Sequence, residues 1–428
     1  MRIDYITAGA GGMICGNCLL DNTLAASLLE LGHNVRLVPI YTPIKVDEVD
    51  VSLNRVFVGG INAFLQQKFS LFRATPDWLD KLFDHPLLLN WAAKFAVKTD
   101  PKDLGELTVS VLEGSDGQQS KEIAKLIDWM TIDPPDILHL TNSMLAGLAS
   151  PAKKILGIPV VCSLQGEHHF LEHLPSPYRE KAFGYLLKKS QSIDTFIAPG
   201  RDQAIAMAPR LGVDVNEINV ISPGLSLKGF QPGSTHAREE FRIGYMARVS
   251  PEKGLDLLAD AFVQIRRRHG DTSPTPRLLV AGWLDPHHRS YLEKISRKVS
   301  DAGFSADFEY LGEIDRTEKI RFLSNLDVLS VPVSYPASKG LYALEAMASA
   351  TPVIQPDLGI FPELIKATGG GLLHKPGDVG DLVSKLEQLL ENRDQVSTLG
   401  QQGRNAVLKN FDIRRTAEET VQVYRNLC

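Results

Sequence analysis

Two cationic side chains and one helix start stand where a parallel sheet would present them to a phosphate group. Arg248 and Lys253 follow an apolar run that ends at Met246, and a second apolar run precedes the segment Gly340-Leu-Tyr-Ala-Leu-Glu345. A guanidinium binds two phosphate oxygens at once, and an ammonium acts as a point charge. The first turn of a helix adds N–H groups and the positive end of its dipole. The pattern indicates a diphosphate site in which Glu345 reaches sugar hydroxyls, and a pair of solvated surface cations is the alternative.

A glycine-rich loop follows the first predicted strand and reads Thr7-Ala-Gly-Ala-Gly-Gly-Met13. Its position between a strand and a helix suits a phosphate-binding loop. It departs from G-x-G-x-x-G because position 14 is Ile14, and no acidic residue ends the second strand, so a nicotinamide cofactor is disfavoured. We predict that a ligand approaches the backbone at Gly11 and Gly12, with a tight turn alone as the alternative.

Polar side chains also end two strands in the first half of the chain. His139 lies at the end of one apolar run, and Gln165, Glu167 and His168 follow the next. We predict that these side chains orient an acceptor or a sugar, while a histidine satisfied within the core is the alternative for His139. A metal site built from Glu167, His168 and His169 is disfavoured, since adjacent histidines rarely converge on one ion. We therefore expect no metal.

The four cysteines of this 428-residue chain are too few for a disulfide framework and favour a reducing compartment. Cys15 and Cys18 form a C-x-x-C pair at the start of the first helix, where a thiolate would be stabilised. A redox or metal role needs partners, and the sequence offers no second pair. We therefore predict that these two cysteines serve packing.

Charge and hydropathy argue against two classes of function. The formal net charge is −5, which does not fit a nucleic-acid-binding surface. The segment Met1–Thr7 is too short and too polar for a signal peptide and is predicted to be a strand. No run approaches the roughly 20 apolar residues of a membrane span. These features predict a cytoplasmic protein.

Strand-like apolar runs alternate with helix-like segments, which predicts doubly wound parallel sheets. The alternation restarts after Pro223–Pro232, a segment rich in Pro, Gly and Ser, so two sheet-and-helix units are expected. Between the first two strands, a helix over Asn22–Leu31 ends before Gly32. The predicted strands are Ile3–Thr7, Val35–Ile40, Ile137–Leu140, Val160–Leu164, Phe196–Ala198, Ile218–Ser222, Ile243–Met246, Leu278–Ala281, Phe308–Leu311, Val328–Val333 and Val353–Ile354.

Residues 44–130 interrupt the first unit with an aromatic, helix-rich insertion. Within it, Leu87–Val97 is apolar on most faces, and Lys94 is its only charged residue. A packed cap over the N-terminal domain is the favoured interpretation. The alternative is a flap that binds the acceptor or touches a membrane surface.

The ordered set of these segments resembles the group 1, glycogen-synthase-like family of retaining glycosyltransferases over nearly the whole chain. The resemblance implies an α/β protein of the GT-B fold, with two Rossmann-like doubly wound parallel-sheet domains facing each other across a cleft. The expected domains are residues 1–225, with the insertion and a C-terminal helix at about 413–428 packing back on them, and residues 226–412, which bind the nucleotide sugar. The segments that carry the resemblance are Gly11-Gly12, Leu31–His33, Asp136–His139, Ile221–Gly224, Phe230–Pro232, Arg248–Gly254, Val280–Gly282, Tyr310–Gly312, Gly340–Ala348, Gly359–Glu363 and Gly369–Leu372.

The resemblance also assigns roles to residues. Arg248 and Lys253 would bind the donor diphosphate, Glu345 would accept hydrogen bonds from the ribose, and the backbone of Gly340 and Leu341 would meet phosphate. The base would lie near Gly312–Ile314. The other expected donor-binding residues are Gly11, Gly12, Gly282, Gly312, Glu313 and Lys339. The expected catalytic residues are Arg248, Lys253 and Gln165, and the expected acceptor-side residues are His139, Glu167 and His168.

Two positions depart from the family's pattern. The family usually has two glutamates with seven residues between them; Glu345 is the second, and Ala337 occupies the place of the first. Gln165 stands where the family often has a histidine, so its amide can bond a sugar hydroxyl but cannot titrate.

The resemblance, together with these residues, implies a retaining transferase that moves a sugar from a nucleoside-diphosphate sugar to a glycan, a lipid-linked sugar or a small molecule, without a metal or other cofactor. In such a mechanism the departing phosphate takes the acceptor's proton. The alternatives are a GT-B protein that binds nucleotide or glycan and transfers nothing, and a sugar-nucleotide epimerase. Association with the cytoplasmic face of a membrane is a further alternative to a purely cytoplasmic location.

Overall fold

The computed structural model describes residues 1–10, 13–58, 101–233, 239–270 and 272–428, with the backbone alone at 101–103. These residues form two compact units. The N-terminal unit comprises Met1–Gly224 and Ile413–Cys428, and the C-terminal unit comprises Leu225–Asp412. Each unit contains one parallel six-stranded sheet and helices packed against it.

The sheet of the N-terminal unit is formed by six parallel strands, and described helices follow most of them. The strands are β1 (Arg2–Ala8), β2 (Asn34–Ile40), β3 (Ile137–Leu140), β4 (Val160–Ser163), β5 (Thr195–Ala198) and β6 (Ile218–Val220). The helices are α1 (Gly16–Glu30), α2 (Pro101–Glu113), α3 (Ser120–Ile132), α4 (Ala149–Leu156), α5 (His168–Glu172), α6 (Tyr178–Ser190), α7 (Arg201–Leu211) and, from the end of the chain, α15 (Ile413–Arg425).

The strand order of this sheet is β2-β1-β3-β4-β5-β6, so the direction of winding reverses between β1 and β3. The register pairs Ile6 with Leu140 across this point. In open α/β sheets, ligands bind outside the carboxyl ends of the strands at such a reversal. The residues that follow Ala8 and Leu140 therefore occupy the expected ligand edge of the N-terminal unit.

The C-terminal unit repeats the plan with another six parallel strands. The strands are β7 (Glu240–Met246), β8 (Thr275–Ala281), β9 (Phe308–Tyr310), β10 (Val328–Ser330), β11 (Val353–Pro356) and β12 (Gly371–His374). The helices are α8 (Leu255–His269), α9 (Arg289–Asp301), α10 (Arg316–Ser324), α11 (Leu341–Ala348), α12 (Phe361–Thr368), α13 (Val379–Glu391) and α14 (Arg393–Asn410).

The order of the second sheet is β12-β11-β10-β7-β8-β9, which is the Rossmann order 3-2-1-4-5-6 read from the other end. Its reversal lies between β7 and β10. The central strands are buried on both faces, as in Phe241, Ile243 and Tyr245 of β7, because helices cover both sides of a parallel sheet. The unit therefore presents the carboxyl ends of β7 and β10 as its ligand edge.

The last helix returns to the N-terminal unit. Ala417, Val421 and Tyr424 of α15 join the apolar cluster that contains Leu24 and Leu28 of α1. The hydroxyl of Thr416 also donates to the carbonyl oxygen of Ser222 at 3.0 Å. The end of the chain thus completes the core under the first sheet.

The expected α/β fold class is confirmed, and most predicted strands agree with the structure within three residues. Three details differ. Strand β12 was not predicted, because Gly371–His374 is a short run without an alternating pattern. Strand β10 ends at Ser330, before Pro332 interrupts the predicted run. Helix α1 begins at Gly16 and not at Asn22, because Cys15 caps it.

Part of the insertion is described, and the rest is not. Helices α2 and α3 agree with its predicted helix-rich character. The apolar segment Leu87–Val97 lies outside the described residues, so its role as a cap or a flap stays a prediction. In the part of the chain that is described, no helix combines the length and hydropathy needed to cross a membrane.

Candidate active site

Four strand ends bring most of the expected donor-binding residues to one edge of the C-terminal unit. Because the strands are parallel, all their carboxyl ends lie on the same side of the sheet. The segment after β7 carries Arg248 and Lys253, the one after β8 carries Gly282, the one after β9 carries Gly312 and Glu313, and the one after β10 carries Lys339, Gly340 and Leu341. Residues far apart in sequence are therefore neighbours along one edge.

The segments after β7 and β10 pack directly against each other at the reversal point. The amide of Ser334 donates to the carbonyl oxygen of Glu252 at 3.1 Å. Gly254 has φ +72°, and a Cβ there would lie 2.1 Å from the carbonyl oxygen of Pro332, so only glycine fits. The ammonium of Lys253 donates to the hydroxyl of Tyr335 at 2.5 Å. These contacts fix the position of Lys253 at the edge.

Arg248 is held more loosely. Its guanidinium lies 2.6 Å from Glu252 Oε1, and the two side chains are 46% and 40% exposed. Burial alone would raise the pKa of Glu252, but hydrogen bonds from Ser250 and Arg248 outweigh it and lower the pKa. An exposed ion pair of this kind is worth about 0–1 kcal/mol. An arriving anion can therefore compete with Glu252 for the guanidinium.

The start of α11 adds backbone donors to the same edge. Gly340 caps the helix with φ +63°, a conformation that glycine adopts without strain. The first bonds inside the helix run from the amides of Ala343 and Leu344 to the carbonyl oxygen of Gly340. The amides of Gly340, Leu341 and Tyr342 precede these bonds and stand at the positive end of the helix dipole. This is the geometry of a phosphate-binding helix start.

Glu345 lies one turn further along α11 and is paired with a residue that the sequence analysis missed. The ammonium of Lys319 on α10 donates to Glu345 Oε1 at 2.6 Å, and the two side chains are only 9% and 7% exposed. Lys319 shares its helix with buried Phe322 and Leu323. A lysine three residues before a buried phenylalanine was the available signal, because such spacing places both on one helix face.

Two glycines at the neighbouring strand ends play different parts. A Cβ at Gly282 would lie 1.8 Å from the carbonyl oxygen of Ala247, so this glycine lets the ends of β7 and β8 approach each other. Its amide donates to the carbonyl oxygen of Gly312 at 2.8 Å. A Cβ at Gly312 would meet no atom within 4 Å, so this backbone borders open space. Gly312 is thus the more accessible of the two for a ligand.

Ala337 is enclosed by backbone. It is 7% exposed, and its carbonyl oxygen accepts from the amide of Ile360 at 2.9 Å. A Cβ at Gly359 would fall 2.6 Å from the same oxygen. The methyl group at this position provides no acceptor for a sugar hydroxyl, so recognition of a donor sugar must use other groups.

A buried carboxylate organises the ligand edge of the N-terminal unit. Asp21 Oδ1 accepts hydrogen bonds from the hydroxyl of Tyr5 and from the side-chain amide of Gln165, both at 2.8 Å. Asp21 Oδ2 accepts from the hydroxyls of Thr7 and Thr141, both at 2.6 Å. These five residues, here called the Asp21 cluster, come from α1 and from the ends of β1, β3 and β4. The cluster fixes the orientation of the Gln165 amide.

Burial raises the pKa of Asp21, although the hydrogen bonds from Thr141, Thr7, Tyr5 and Gln165 oppose the shift. Asp21 was not predicted from the sequence. Its signal was spacing, because Cys18, Asp21, Ala25 and Leu28 share the buried face of α1 and only one of them is charged. A carboxylate on an apolar helix face requires partners, and the strand ends supply them.

For His139, the structure supports the stated alternative of a core histidine over the expected acceptor-side role. It is fully buried within the sheet, its ring stacks on Tyr5 at 4.3 Å, and its nitrogens lie 2.5 Å from the Tyr424 hydroxyl and 2.8 Å from that of Ser163. Burial lowers the pKa of His139 to about 3. This is a histidine satisfied within the core, so it is not positioned to contact an acceptor.

Glu167 and His168 are also enclosed, at 6% and 5% exposure. Glu167 Oε1 accepts hydrogen bonds from the backbone amide and the hydroxyl of Ser143. Glu167 Oε2 accepts one from the backbone amide of Gln165. Burial, followed by the nearby charge of His169, lowers the pKa of His168 to about 4. Glu167 therefore shapes the turn that carries Gln165, and its hydrogen bonds to Ser143 and Gln165 are internal to the unit.

Two further expectations from the sequence concern the glycine-rich loop and metal binding. Gly11 and Gly12 lie outside the described residues, so their contact with a ligand stays a prediction. Within the described ranges, no group of three or more His, Cys, Asp and Glu side chains converges as a metal site would require.

Comparisons with known proteins identify the class of protein. Residues 230–406 match the family described as glycosyl transferases group 1, and residues 114–228 match glycosyltransferase family 4. The sucrose-phosphate synthase of Thermosynechococcus elongatus covers 100% of this chain and 99% of its own, with a TM-score of 0.73 at 19% identity. Anabaena HepE in complex with UDP and glucose covers both chains fully, with a TM-score of 0.69 at 17% identity. The expected GT-B fold is thereby confirmed.

The matches to curated relatives cover a smaller share of the chain than the matches to these two structures. The D-inositol 3-phosphate glycosyltransferase of Nocardia farcinica is 27% identical over 54% of this chain and 52% of its own length. The sulfoquinovosyl transferase SQD2 of Arabidopsis thaliana is 26% identical over 64% of this chain and 54% of its own. The chain thus spans about half the length of these first relatives. The chain belongs to the group 1 glycosyltransferase family.

Proposed function

We propose that the protein is a retaining glycosyltransferase that moves a sugar from a nucleoside-diphosphate sugar to an acceptor hydroxyl. The observation that carries the proposal is the cationic edge of the C-terminal unit. Lys253 is fixed there by Tyr335, Arg248 is exposed on the same segment after β7, and the start of α11 follows the neighbouring strand. Such a set of positive groups has no role in the core and suits a diphosphate.

The same groups explain how transfer is accelerated. As the bond to the sugar breaks, negative charge grows on the departing diphosphate. Fixed positive groups stabilise that charge more in the transition state than in the ground state, which is the condition for catalysis. Removal of one such group typically lowers the rate by roughly 10²–10³-fold. Arg248 and Lys253 are proposed to make this contribution.

Glu345 is proposed to bind the ribose. Its carboxylate accepts hydrogen bonds only, which matches a pair of sugar hydroxyls. Lys319 holds Oε1 in place at 2.6 Å, so it acts as a positioning residue for this carboxylate. The open backbone at Gly312 and the neighbouring Glu313 are proposed to border the base.

The acceptor is proposed to need no protein base. Ala337 has no titratable group, and Gln165 has an amide that Asp21 and Thr141 orient. In a retaining mechanism the departing phosphate oxygen can take the proton of the attacking hydroxyl on the same face of the sugar. Gln165 would then bond a sugar hydroxyl without exchanging a proton. No metal or organic cofactor is part of the proposal.

Similar proteins support the choice of donor. Structures of Anabaena HepE contain UDP, UDP with glucose, and UDP-glucose. The curated relatives include a D-inositol 3-phosphate glycosyltransferase and a glycogen synthase. We therefore propose a UDP-sugar as the first donor to test and a hydroxyl-bearing carbohydrate as the acceptor class.

The test is turnover of radiolabelled UDP- and GDP-sugars over a panel of acceptors. Lys253→Ala and Arg248→Ala are each expected to lower transfer by roughly 10²–10³-fold. Arg297→Ala on α9 is the matched control, since it removes an exposed cation from a helix of the same unit. Transfer within a few-fold of wild type in both site variants would overturn the assignment. Donor binding without transfer or hydrolysis would instead favour a binding protein, the reading that Ala337 motivates.

A further inference from the structure

Two reduced cysteines face each other at the start of α1. Cys15 is the N-cap of the helix, and Cys18 is its third residue. The two sulfur atoms are 3.1 Å apart, and the amide of Cys18 donates to Cys15 Sγ at 3.3 Å. The thiol of Cys18 lies 3.4 Å from the carbonyl oxygen of Ala8 at the end of β1. A disulfide between them requires the sulfurs to approach to about 2.05 Å, a shift of about 1 Å.

The two thiols differ in exposure and in the stability of their thiolates, as the two cysteines of a redox pair do. Cys15 is partly exposed and stands at the positive end of a helix, which favours the thiolate. Cys18 is buried, and its contact with Cys15 together with its burial raises its pKa. Cys15 is therefore the accessible nucleophile, and Cys18 is the protected thiol that can resolve an intermediate.

We propose that Cys15 and Cys18 form a dithiol–disulfide couple that reacts with small disulfides such as oxidised glutathione. The Cys15 thiolate attacks one sulfur of the oxidant, which releases one thiol and leaves a mixed disulfide on Cys15. Cys18 then loses its proton and attacks Cys15 Sγ, which releases the second thiol and closes the protein disulfide. Two protein thiols are oxidised and one external disulfide is reduced to two thiols.

Closure of the disulfide changes contacts at the ligand edge of the N-terminal unit. Oxidation removes the thiol hydrogen that Cys18 directs at Ala8, and it moves the sulfur that caps α1. Asp21 lies one turn after Cys18 on the same buried helix face. We therefore expect oxidation to disturb the Asp21 cluster and to slow sugar transfer, a consequence that rests on the proposed function.

The first experiment measures the couple without reference to activity. The full chain with Cys428→Ser, which removes the exposed fourth cysteine, is incubated with oxidised glutathione and examined by intact mass and peptide mapping. The expected product has lost two hydrogens through a Cys15–Cys18 link, and dithiothreitol restores them. With Cys18→Ser added, Cys15 is expected to accumulate a glutathione adduct. Cys162, fully buried in β4, is the internal control and should stay unmodified.

A measurement on the unmutated protein keeps the test independent of variant folding. Iodoacetamide should alkylate Cys15 at least tenfold faster than Cys162. Equal alkylation rates at Cys15 and Cys162 would overturn the proposed couple. So would an incubation with oxidised glutathione after which Cys15 and Cys18 are still thiols. Transfer activity is then compared before and after oxidation, with Cys15→Ser as the insensitive control. Unchanged activity in a chain whose disulfide is proven by mass would overturn only the link between oxidation and transfer.

Discussion

The ligand edges of the two units have the same topology but opposite chemistry. In the N-terminal unit, the strand ends converge on a buried carboxylate, and both oxygens of Asp21 accept hydrogen bonds from other members of the Asp21 cluster. In the C-terminal unit, the strand ends present Arg248 and Lys253, and Arg248 is about half exposed. One edge is organised by hydrogen bonds to an internal carboxylate, and the other can accept an anion.

This difference indicates how the same sheet topology can position a side chain in one unit and bind an anionic ligand in the other. A closed hydrogen-bond network fixes the position of one amide, that of Gln165, and is stabilised by burial. The cationic edge is available to a ligand because Arg248 is held only by an exposed ion pair that an anion can replace. The comparison predicts that substitutions in the Asp21 cluster change stability most, whereas substitutions of the cations Arg248 and Lys253 change turnover most.

The largest effect on stability is expected from Asp21→Ala. The change leaves the four donors of the Asp21 cluster without their acceptor, and each unsatisfied buried group costs about 1–3 kcal/mol. Water that enters the space restores part of this, so we expect a loss of roughly 4–6 kcal/mol. Urea unfolding measures it. Asp128→Ala, an exposed aspartate on α3, is the control and should change stability little. A similar small loss for both variants would contradict a closed network.

The next largest effect tests the one buried ion pair described at the second edge. Lys319→Met leaves the carboxylate of Glu345 buried without its partner, which typically costs about 3–5 kcal/mol. The double variant Lys319→Met with Glu345→Leu removes both charges and should regain most of that loss. A double-mutant cycle in urea separates the terms. Additive losses would show that the two side chains do not interact.

Sequence alone could predict the fold and part of the candidate site. Apolar runs at regular spacing identified most strands, and the positions of Arg248, Lys253 and Gly340 at strand ends followed from that alternation. Asp21 and Lys319 could not be found in the same way, because their partners lie far away in the chain and come together only through sheet order. The two interpretations of His139 could not be separated from the sequence for a related reason, since a side chain at a strand end can point into the core as well as to solvent.

A pH-dependent effect distinguishes the buried histidine from a site residue. The pKa of His139 falls from 6.5 to about 3 on folding, so the unfolded chain binds more protons between these values. Stability contributed by this group is therefore present above pH 6.5 and is lost as the pH falls toward 3, by roughly 1 kcal/mol per pH unit. His139→Gln should flatten the slope of unfolding free energy between pH 6 and pH 4, by about 2 kcal/mol in total.

The control for this slope is His173→Gln, because His173 is exposed on the segment that follows α5. Its variant should retain the wild-type pH dependence. If His139→Gln and His173→Gln gave the same slope as the wild type, His139 would titrate normally in the folded protein. Its burial beside Tyr5 and Tyr424 would then be contradicted.

The smallest effect on stability is expected from Arg248→Gln, and this makes it informative. The exposed ion pair with Glu252 is worth less than about 1 kcal/mol, so urea unfolding should barely change. Sugar transfer should fall by roughly 10²–10³-fold, because the lost charge acts on the departing diphosphate. Arg297→Gln should change neither quantity. A large loss of stability without a loss of turnover would reverse the comparison, since Arg248 would then support the fold and the cationic edge would have no demonstrated ligand.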